Sequence, residues 1–267
     1  MVVNHDVADE RARINFNFSE MCKVVRGEEH INLQSFVEQV FKELPELEDP
    51  VDVDFLSREQ RYDNAVRKNM ALIANSDKIV DGVPDIQKLS LLRMNVFASD
   101  QAPFELHYSM FIPTLQNQCS DEQAEKWLPL AITNSICGTY AQTELGHGSN
   151  LRNLETTATY DLAAEEFVIN SPTLTSIKWW PGNLGKSSNY CLVQAQLWTL
   201  SKCYGAHLFI VQLRDLETHQ PLPGITIGDI GPKMGYVTVD NGFLKLDHVR
   251  IPRDHMLMRH AKVTRSY

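Results

Sequence analysis

The segment YAQTELGHGSN, residues 140–150, brings together one carboxylate, one imidazole, two glycines and three side chains with hydroxyl groups. Such residue types could form a metal site, a hydrolytic nucleophile with its base, or a backbone cradle for a cofactor. Spacing and glycine content help to distinguish these three possibilities.

A metal site would use Glu144 and His147, whose E-x-x-H spacing places both ligands on one helix face in di-iron bundles. Those bundles need a second E-x-x-H pair and further carboxylates, and the sequence has no second pair. Gly146 and Gly148 each disfavour a helix by about 1 kcal/mol. We therefore predict no metal site.

A hydrolytic site would use Ser149 as the nucleophile and His147 as its base. Side chains two residues apart rarely reach the geometry that this reaction needs, and no G-x-S-x-G motif occurs in the chain. We assign no catalytic residue on this basis.

A cofactor cradle would use Gln142, Thr143 and Ser149 as polar groups, with Gly146 and Gly148 allowing close approach and positive φ angles. A plain turn at a domain junction would explain the same glycines. Residue types alone leave both interpretations open.

A second polar segment, KWWPGNLGKSSN at 178–189, raises the same question. Adjacent tryptophans are typical of a core. The residues that follow them could instead form a polar rim, namely Gly182, Gly185, Lys186, Ser187 and Ser188.

The elements that carry these segments differ between the two halves of the chain. From Glu38 to about Ala131, apolar residues recur three or four positions apart, and prolines at 45, 50, 84 and 103 interrupt the pattern. Ser120 and Gln123 have the spacing of a capping box ahead of Trp127 and Leu128. The pattern predicts a cluster of short helices.

After Leu154 the apolar period becomes two, in seven short runs rich in Val, Ile, Thr and aromatic residues. The runs are TTATYD, EFVIN, LTSIKWW, CLVQAQL, HLFIVQL, GITIGDI and FLKLDHVRI. We predict an α+β chain with a helical domain at 1–135 and a β-barrel or sandwich domain at 136–267.

Charge and cysteine content exclude several functions. The net charge of -9, without a long basic run, argues against nucleic-acid binding. No apolar stretch reaches the roughly 18 to 20 residues of a membrane span. The cysteines are odd in number and include no CxxC pair, as expected of reduced thiols: Cys22, Cys119, Cys137, Cys191 and Cys203.

Long blocks of the sequence resemble peroxisomal acyl-CoA oxidases. They are GTYAQTELGHGSNLRNLETTATYD (138–161), SPTLTSIKWWPGNLGKSSNY (171–190), PLPGITIGDIGPKMGY (221–236) and DNGFLKLDHVRIPRDHMLMRHAKV (240–263), with FLSREQRYDNAVRK (55–68) and YSMFIPTLQNQCSDEQAEKWL (108–128) upstream. The resemblance implies an N-terminal helical domain and a middle β domain, followed in the family by further helical domains.

The resemblance also implies an activity, a cofactor and partners. Members of this family use FAD to oxidise a fatty acyl-CoA to the trans-2-enoyl-CoA and reduce molecular oxygen to hydrogen peroxide. They are peroxisomal and form dimers, although the final RSY of this chain is not an SKL-type signal. The positions that match the family's flavin-lining residues are Tyr140, Ala141, Gln142, Thr143, Gly148, Ser149 and Gly182.

In the family, the base that removes the α-proton is a glutamate in a later helical domain, which this sequence does not reach. The resemblance therefore assigns no catalytic residue here, and we expect weak or absent turnover from this chain alone. The alternative is a noncatalytic short isoform that pairs with a full-length oxidase subunit and affects its assembly or substrate choice.

Overall fold

A computed structural model describes residues 4–79, 86–97 and 100–264. The chain divides into two compact units, one formed by 1–55 with 67–98 and the other by 56–66 with 99–267. Pro84, one of the predicted helix breaks, and the RSY end lie outside the described residues. The domain boundary at 135/136 stays a prediction, although the change from helix to strand falls between Ile132 and Gly138.

Helices make up the first unit, and α4 begins in the second. They are α1 (His5–Ala12), α2 (Phe18–Arg26), α3 (Glu28–Glu43), α4 (Arg58–Ala74), α5 (Ser76–Ile79) and α6 (Ile86–Phe97), with 3₁₀ turns at Pro45–Leu47 and Val53–Phe55. Asn4 and Asn17 cap α1 and α2, because the side-chain oxygen of Asn4 accepts from two amides of the first turn and that of Asn17 from one. Neither α1 nor α2 has a buried residue.

The second unit has its own helices ahead of the strands. They are a π-helical turn at His107–Phe111, α7 (Ile112–Gln118) and α8 (Asp121–Ile132). The predicted capping box is present: Gln123 N–H bonds to the Ser120 hydroxyl, and the Gln123 side chain accepts from the Ser120 amide. Trp127 is buried, as the apolar pattern predicts.

Nine strands follow within the described residues. They are β1 (Gly138–Ala141), β2 (Thr157–Asp161), β3 (Glu166–Asn170), β4 (Lys178–Trp179), β5 (Tyr190–Thr199), β6 (Lys202–Gln212), β7 (Ile225–Asp229), β8 (Gly242–Leu246) and β9 (Val249–Pro252). The sequence predicted seven strands. That prediction missed β1 and treated β8 and β9 as one strand. These two strands are separated at Asp247 and His248, and His248 has a φ of 51°.

The strands form two sheets. The larger has the order β1-β5-β2-β3-β9, with β6 on the other edge of β5, and the smaller has the order β4-β8-β7. β5 runs parallel to β1 and β2, and the remaining neighbours are antiparallel. Helices followed by a mixed sheet confirm the predicted α+β class.

Strand β5 is buried on both faces, which explains its nearly continuous apolar run. Cys191 and Val193 face the core that the two sheets share. Leu192 faces a second apolar cluster, where Phe111 and Trp127 pack against the sheet. Among the described residues, no helix is both long and apolar enough to cross a membrane.

Candidate functional site

The two polar segments that the sequence separates by about thirty residues lie side by side in the second unit. Residues 143–146 run antiparallel to residues 175–179. Three backbone hydrogen bonds join them, from Trp179 N to Thr143 O (3.0 Å), from Leu145 N to Ile177 O (2.8 Å) and from Gly146 N to Thr175 O (2.9 Å).

Gly182 is held beside strand β1. The Thr139 hydroxyl donates to the Gly182 carbonyl at 2.6 Å, and both residues are buried. A Cβ at Gly182 would lie 3.2 Å from side-chain atoms of Leu106 and Val239, a tight approach. The structure thus brings Gly182 to the segment with which the resemblance grouped it.

Side chains 140–143 have two kinds of surroundings. Ala141 is fully buried in the core between the sheets, so only its backbone could meet a ligand. Tyr140 packs against the second apolar cluster, and burial and the nearby Cys191 thiol raise its pKa. Gln142 and Thr143 are half-buried, and within the described part of the chain their side chains have no hydrogen-bond partner.

Glu144 is buried and its carboxylate is saturated with hydrogen bonds. Oε1 accepts from Thr156 N (2.9 Å), Thr156 Oγ1 (2.6 Å) and Lys178 Nζ (3.2 Å), while Oε2 accepts from Glu155 N (2.8 Å). Burial alone would raise the Glu144 pKa, but Lys178 and the Thr156 hydroxyl, with the two amides, hold that pKa below its ordinary value. Glu144 is therefore an internal ion-pair partner.

His147 bonds within its own loop. Its Nδ1 lies 3.1 Å from Glu144 Oε2, and its Nε2 lies 3.8 Å from Glu155 Oε1. Across residues 4–79, 86–97 and 100–264, no group of three or more His, Cys, Asp or Glu side chains is placed to hold a metal ion.

Lys178 is the partner of Glu144 and is fully buried. Its Nζ also donates to Gln142 O (3.1 Å) and Gln194 O (2.7 Å). Burial lowers the pKa of Lys178 to about 8, and Glu144 opposes that shift. Sequence reasoning missed this lysine, since its only signal is a charge inside an otherwise strand-like run.

Gly148 and Ser149 are exposed at the end of the same loop. A Cβ at Gly148 would meet no atom within 4 Å. The expectation that Gly146 and Gly148 supply positive φ angles is wrong, because neither has one. Gly146 instead permits the backbone to approach the side chain of Thr175, where a Cβ would lie at 2.7 Å.

The two adjacent tryptophans have different environments. Trp179 is half-buried and stacks on Phe243, with ring centroids 6.1 Å apart. Trp180 is 50% exposed and has a φ of 87°, which is strained for a bulky residue. Its backbone is held there because Trp180 N donates to Gly242 O (2.9 Å) and Trp180 O accepts from Asn241 Nδ2 (2.7 Å).

The polar rim proposed at 185–188 is occupied by a side chain of the protein itself. Asp240 Oδ2 accepts from Lys186 N (2.7 Å), Ser187 N (2.8 Å) and Ser187 Oγ (3.0 Å). Burial raises the Asp240 pKa, although these hydrogen bonds oppose the shift. The amides of Lys186 and Ser187 are therefore already used, and the second segment contributes Trp180 and Gly182 to the candidate site.

The chain has N-terminal helices, a mixed sheet and a polar loop beside a tryptophan pair. This arrangement is that of the N-terminal part of an acyl-CoA oxidase. Residues 18–137 match the family model described as acyl-coenzyme A oxidase N-terminal. Peroxisomal acyl-coenzyme A oxidase 1 of Bos taurus is 49% identical over 262 residues, which are 98% of this chain and 39% of the bovine protein. The chain belongs to the acyl-CoA oxidase family.

Solved structures agree with this assignment. Acyl-CoA oxidase-1 of Caenorhabditis elegans, complexed with FAD and ATP, superposes with a TM-score of 0.90 at 47% identity over 98% of this chain. Acyl-CoA oxidase-2 of the same organism, bound with FAD, ascaroside-CoA and ATP, has a TM-score of 0.89 at 48% identity. The chain spans only 40% of the length of either structure.

Proposed function

We propose that this chain forms the flavin-lining wall of an FAD-dependent acyl-CoA oxidase. The observation that supports the proposal is the contact of Gly182 with β1, the strand that leads into residues 142–143, through the bond between the Thr139 hydroxyl and the Gly182 carbonyl. The unpaired side chains of Gln142 and Thr143 lie on one of these segments, and exposed Trp180 lies on the other.

These residues fit a flavin ring system in their chemistry. Gln142 and Thr143 offer donors that no other described residue uses, and the Trp180 indole offers a flat apolar surface. Gly148 leaves open space beside the loop, and Ser149 is exposed next to it. Fixed dipoles of this kind stabilise charge without reorganisation. We therefore assign the FAD contacts of this chain to Tyr140, Ala141 (backbone only), Gln142, Thr143, Gly148, Ser149 and Gly182.

The reaction proposed for the whole protein is the oxidation of a fatty acyl-CoA to its trans-2-enoyl-CoA. FAD, when bound, supplies the two-electron chemistry and passes the electrons to molecular oxygen, giving hydrogen peroxide. Glu144 is not the base that removes the α-proton, because it is buried and paired with Lys178. We place that base outside this sequence, and we place the protein in the peroxisome as part of a homodimer or heterodimer.

The proposal is tested by titrating the 267-residue chain with FAD and following the fluorescence of the cofactor. We expect saturable binding that Gly148→Ala weakens about tenfold, because the added methyl group fills space that the flavin needs. Gly235→Ala is the matched control, since its Cβ also meets no atom within 4 Å and it is remote in sequence from the loop. Equal affinity of both variants, or a wild-type chain that binds no FAD, would contradict the proposal.

A noncatalytic module that pairs with a full-length oxidase subunit is the second candidate. The apolar side chains of α2 favour it, because Phe18, Val24 and Val25 are 69%, 82% and 73% exposed. Mixing the chain with a full-length oxidase and measuring the sedimentation of the mixture separates the two candidates. A colourless chain that forms a complex supports the module, and a flavin-loaded chain that forms none supports the first proposal.

A further inference from the structure

Lys178 lies where residues 143–146 run beside residues 175–179, and all three N–H donors of its ammonium group are used. Nζ bonds to the carbonyls of Gln142 (3.1 Å) and Gln194 (2.7 Å) and to Glu144 Oε1 (3.2 Å). Lys178 and Glu144 side chains both have 0% exposure. An ammonium group with three protein acceptors in one place is a specific arrangement, since an ammonium offers three donors and no acceptor.

We propose that Lys178 and Glu144 are a positioning pair, which sets the orientation in which Gln142 and Thr143 are presented to the ligand. The inference rests on the proposed function, in that it takes these two residues as ligand-facing. Neither Lys178 nor Glu144 touches the ligand in this scheme, and both act through the backbone that they hold.

Two consecutive carbonyl groups of the loop are held in place. Gln142 O is held by Lys178 Nζ, and Thr143 O is held by the amide of Trp179. Because each peptide unit is planar, holding the carbonyl sets the tilt of the whole unit. The side chain of Thr143, which lies between these two units, then has a defined direction.

Glu144 fixes the position of Lys178. Its carboxylate holds Lys178 in place and is itself anchored by the amide and hydroxyl of Thr156, the residue before β2. Lys178 also reaches Gln194 on β5, so the pair connects the loop to the rigid sheet. Buried ion pairs are often replaceable by apolar residues without loss of stability, so a role in specifying geometry is a reason to have one.

The double variant Lys178→Met/Glu144→Gln distinguishes a positioning role of this pair from a purely structural role. The double variant leaves no unpaired charge, so stability should recover relative to Lys178→Met. The Gln142 carbonyl still has no ammonium donor. A positioning role therefore predicts that FAD affinity stays low while stability returns, whereas a structural role predicts that both return together.

The experiment measures FAD affinity, thermal stability and amide hydrogen exchange for the wild-type chain, for Lys178→Met and for the double variant. We expect both variants to bind FAD about tenfold more weakly than the wild type. We also expect the amides of Leu145 and Trp179, which bridge the two segments, to exchange about tenfold faster in the absence of FAD. If Lys178→Met does not fold, the double variant carries the same test.

Gln123→Ala is the matched control, because it loses buried hydrogen bonds elsewhere in the same unit. It should lower stability and leave FAD affinity within about twofold of the wild type. The inference is overturned if the double variant regains wild-type FAD affinity, or if the Leu145 and Trp179 amides exchange as in the wild type. A wild-type chain that binds no FAD, while the exchange effect is present, counts against the proposed function alone.

Discussion

At the scale of single residues, the side chains that look most reactive are those that the protein uses internally. Glu144 and His147 have the types and spacing of metal ligands or acid-base groups, but they bond to each other at 3.1 Å. The carboxylate of Glu144 also has Thr156 and Lys178 as partners. Reactivity depends on free lone pairs and solvent access, which a sequence pattern does not reveal.

Glu144 should contribute to the pH dependence of stability. Its pKa in the folded chain lies below its ordinary value of 4.5, so its contribution is fully present above about pH 4.5 and is lost as the pH falls through the folded pKa. Glu144→Gln should cost about 3 kcal/mol at neutral pH, because Lys178 loses its partner. Urea unfolding from pH 3 to pH 7 measures the difference, which should shrink toward the acid end. A constant difference would contradict this assignment.

Thr143 and Thr139 have the same side chain in different roles, and their valine variants should differ accordingly. The Thr143 hydroxyl has no partner among the described residues, so Thr143→Val should leave thermal stability unchanged and weaken FAD binding about three- to tenfold. The buried Thr139 hydroxyl bonds to Gly182 O, so Thr139→Val should cost about 1–3 kcal/mol of stability. Identical effects of the two substitutions on stability would show that Thr143 is not free for a ligand.

At the scale of elements, helix α8 shows how a local signal can have a tertiary use. Ser120 and Gln123 form the capping box that their spacing predicts. The side-chain Nε2 of Gln123 also donates to Asp254 O (2.7 Å) and Met256 O (2.6 Å), residues at the far end of the β region. The cap therefore joins the helix to the segment after β9.

Gln123→Ala should destabilise the chain more than Ser120→Ala. Loss of the Ser120 side chain removes a helix cap, at a cost of about 1 kcal/mol. Loss of the Gln123 side chain leaves buried peptide groups without partners, at a cost of about 2–4 kcal/mol. Thermal unfolding of the two variants compares these costs directly, and a larger loss from Ser120→Ala would mean that the cap matters more than the tertiary contacts.

At the scale of the whole molecule, we expect weak or absent turnover by the 267-residue chain even when FAD is saturating. The one carboxylate in the segment 140–149 is Glu144, which is buried and paired. A general base must reach the proton that it removes. A peroxide-coupled assay with a fatty acyl-CoA tests this expectation, with a full-length acyl-CoA oxidase assayed in parallel. Ordinary turnover by this chain would contradict it.

Much of the fold was predictable because it follows from local patterns. The change of apolar period separates helices from strands, and the Ser120 cap marks the start of α8. Strand β1 was missed because it is only four residues long and runs into the polar motif at 140–150. Strands β8 and β9, which belong to different sheets, were merged because the link between them at Asp247 and His248 contains no glycine.

The candidate site was predictable only in part. Residue types could narrow YAQTELGHGSN to a cradle or a turn, and the family resemblance favoured the cradle. The positive φ angles expected at Gly146 and Gly148 are absent. The polar rim at 185–188 is filled by Asp240, which is more than fifty residues away in sequence.

The sequence by itself determined the class of fold, the order of its halves and the family, because periodicity, caps and long motif blocks depend on residues that are neighbours in sequence. Only the tertiary structure decided which polar groups form hydrogen bonds inside the protein and which remain for a ligand. The physical reason is that a buried charge or peptide group needs a partner in space, and Lys178, Thr156 and Asp240 become partners only once the strands have paired.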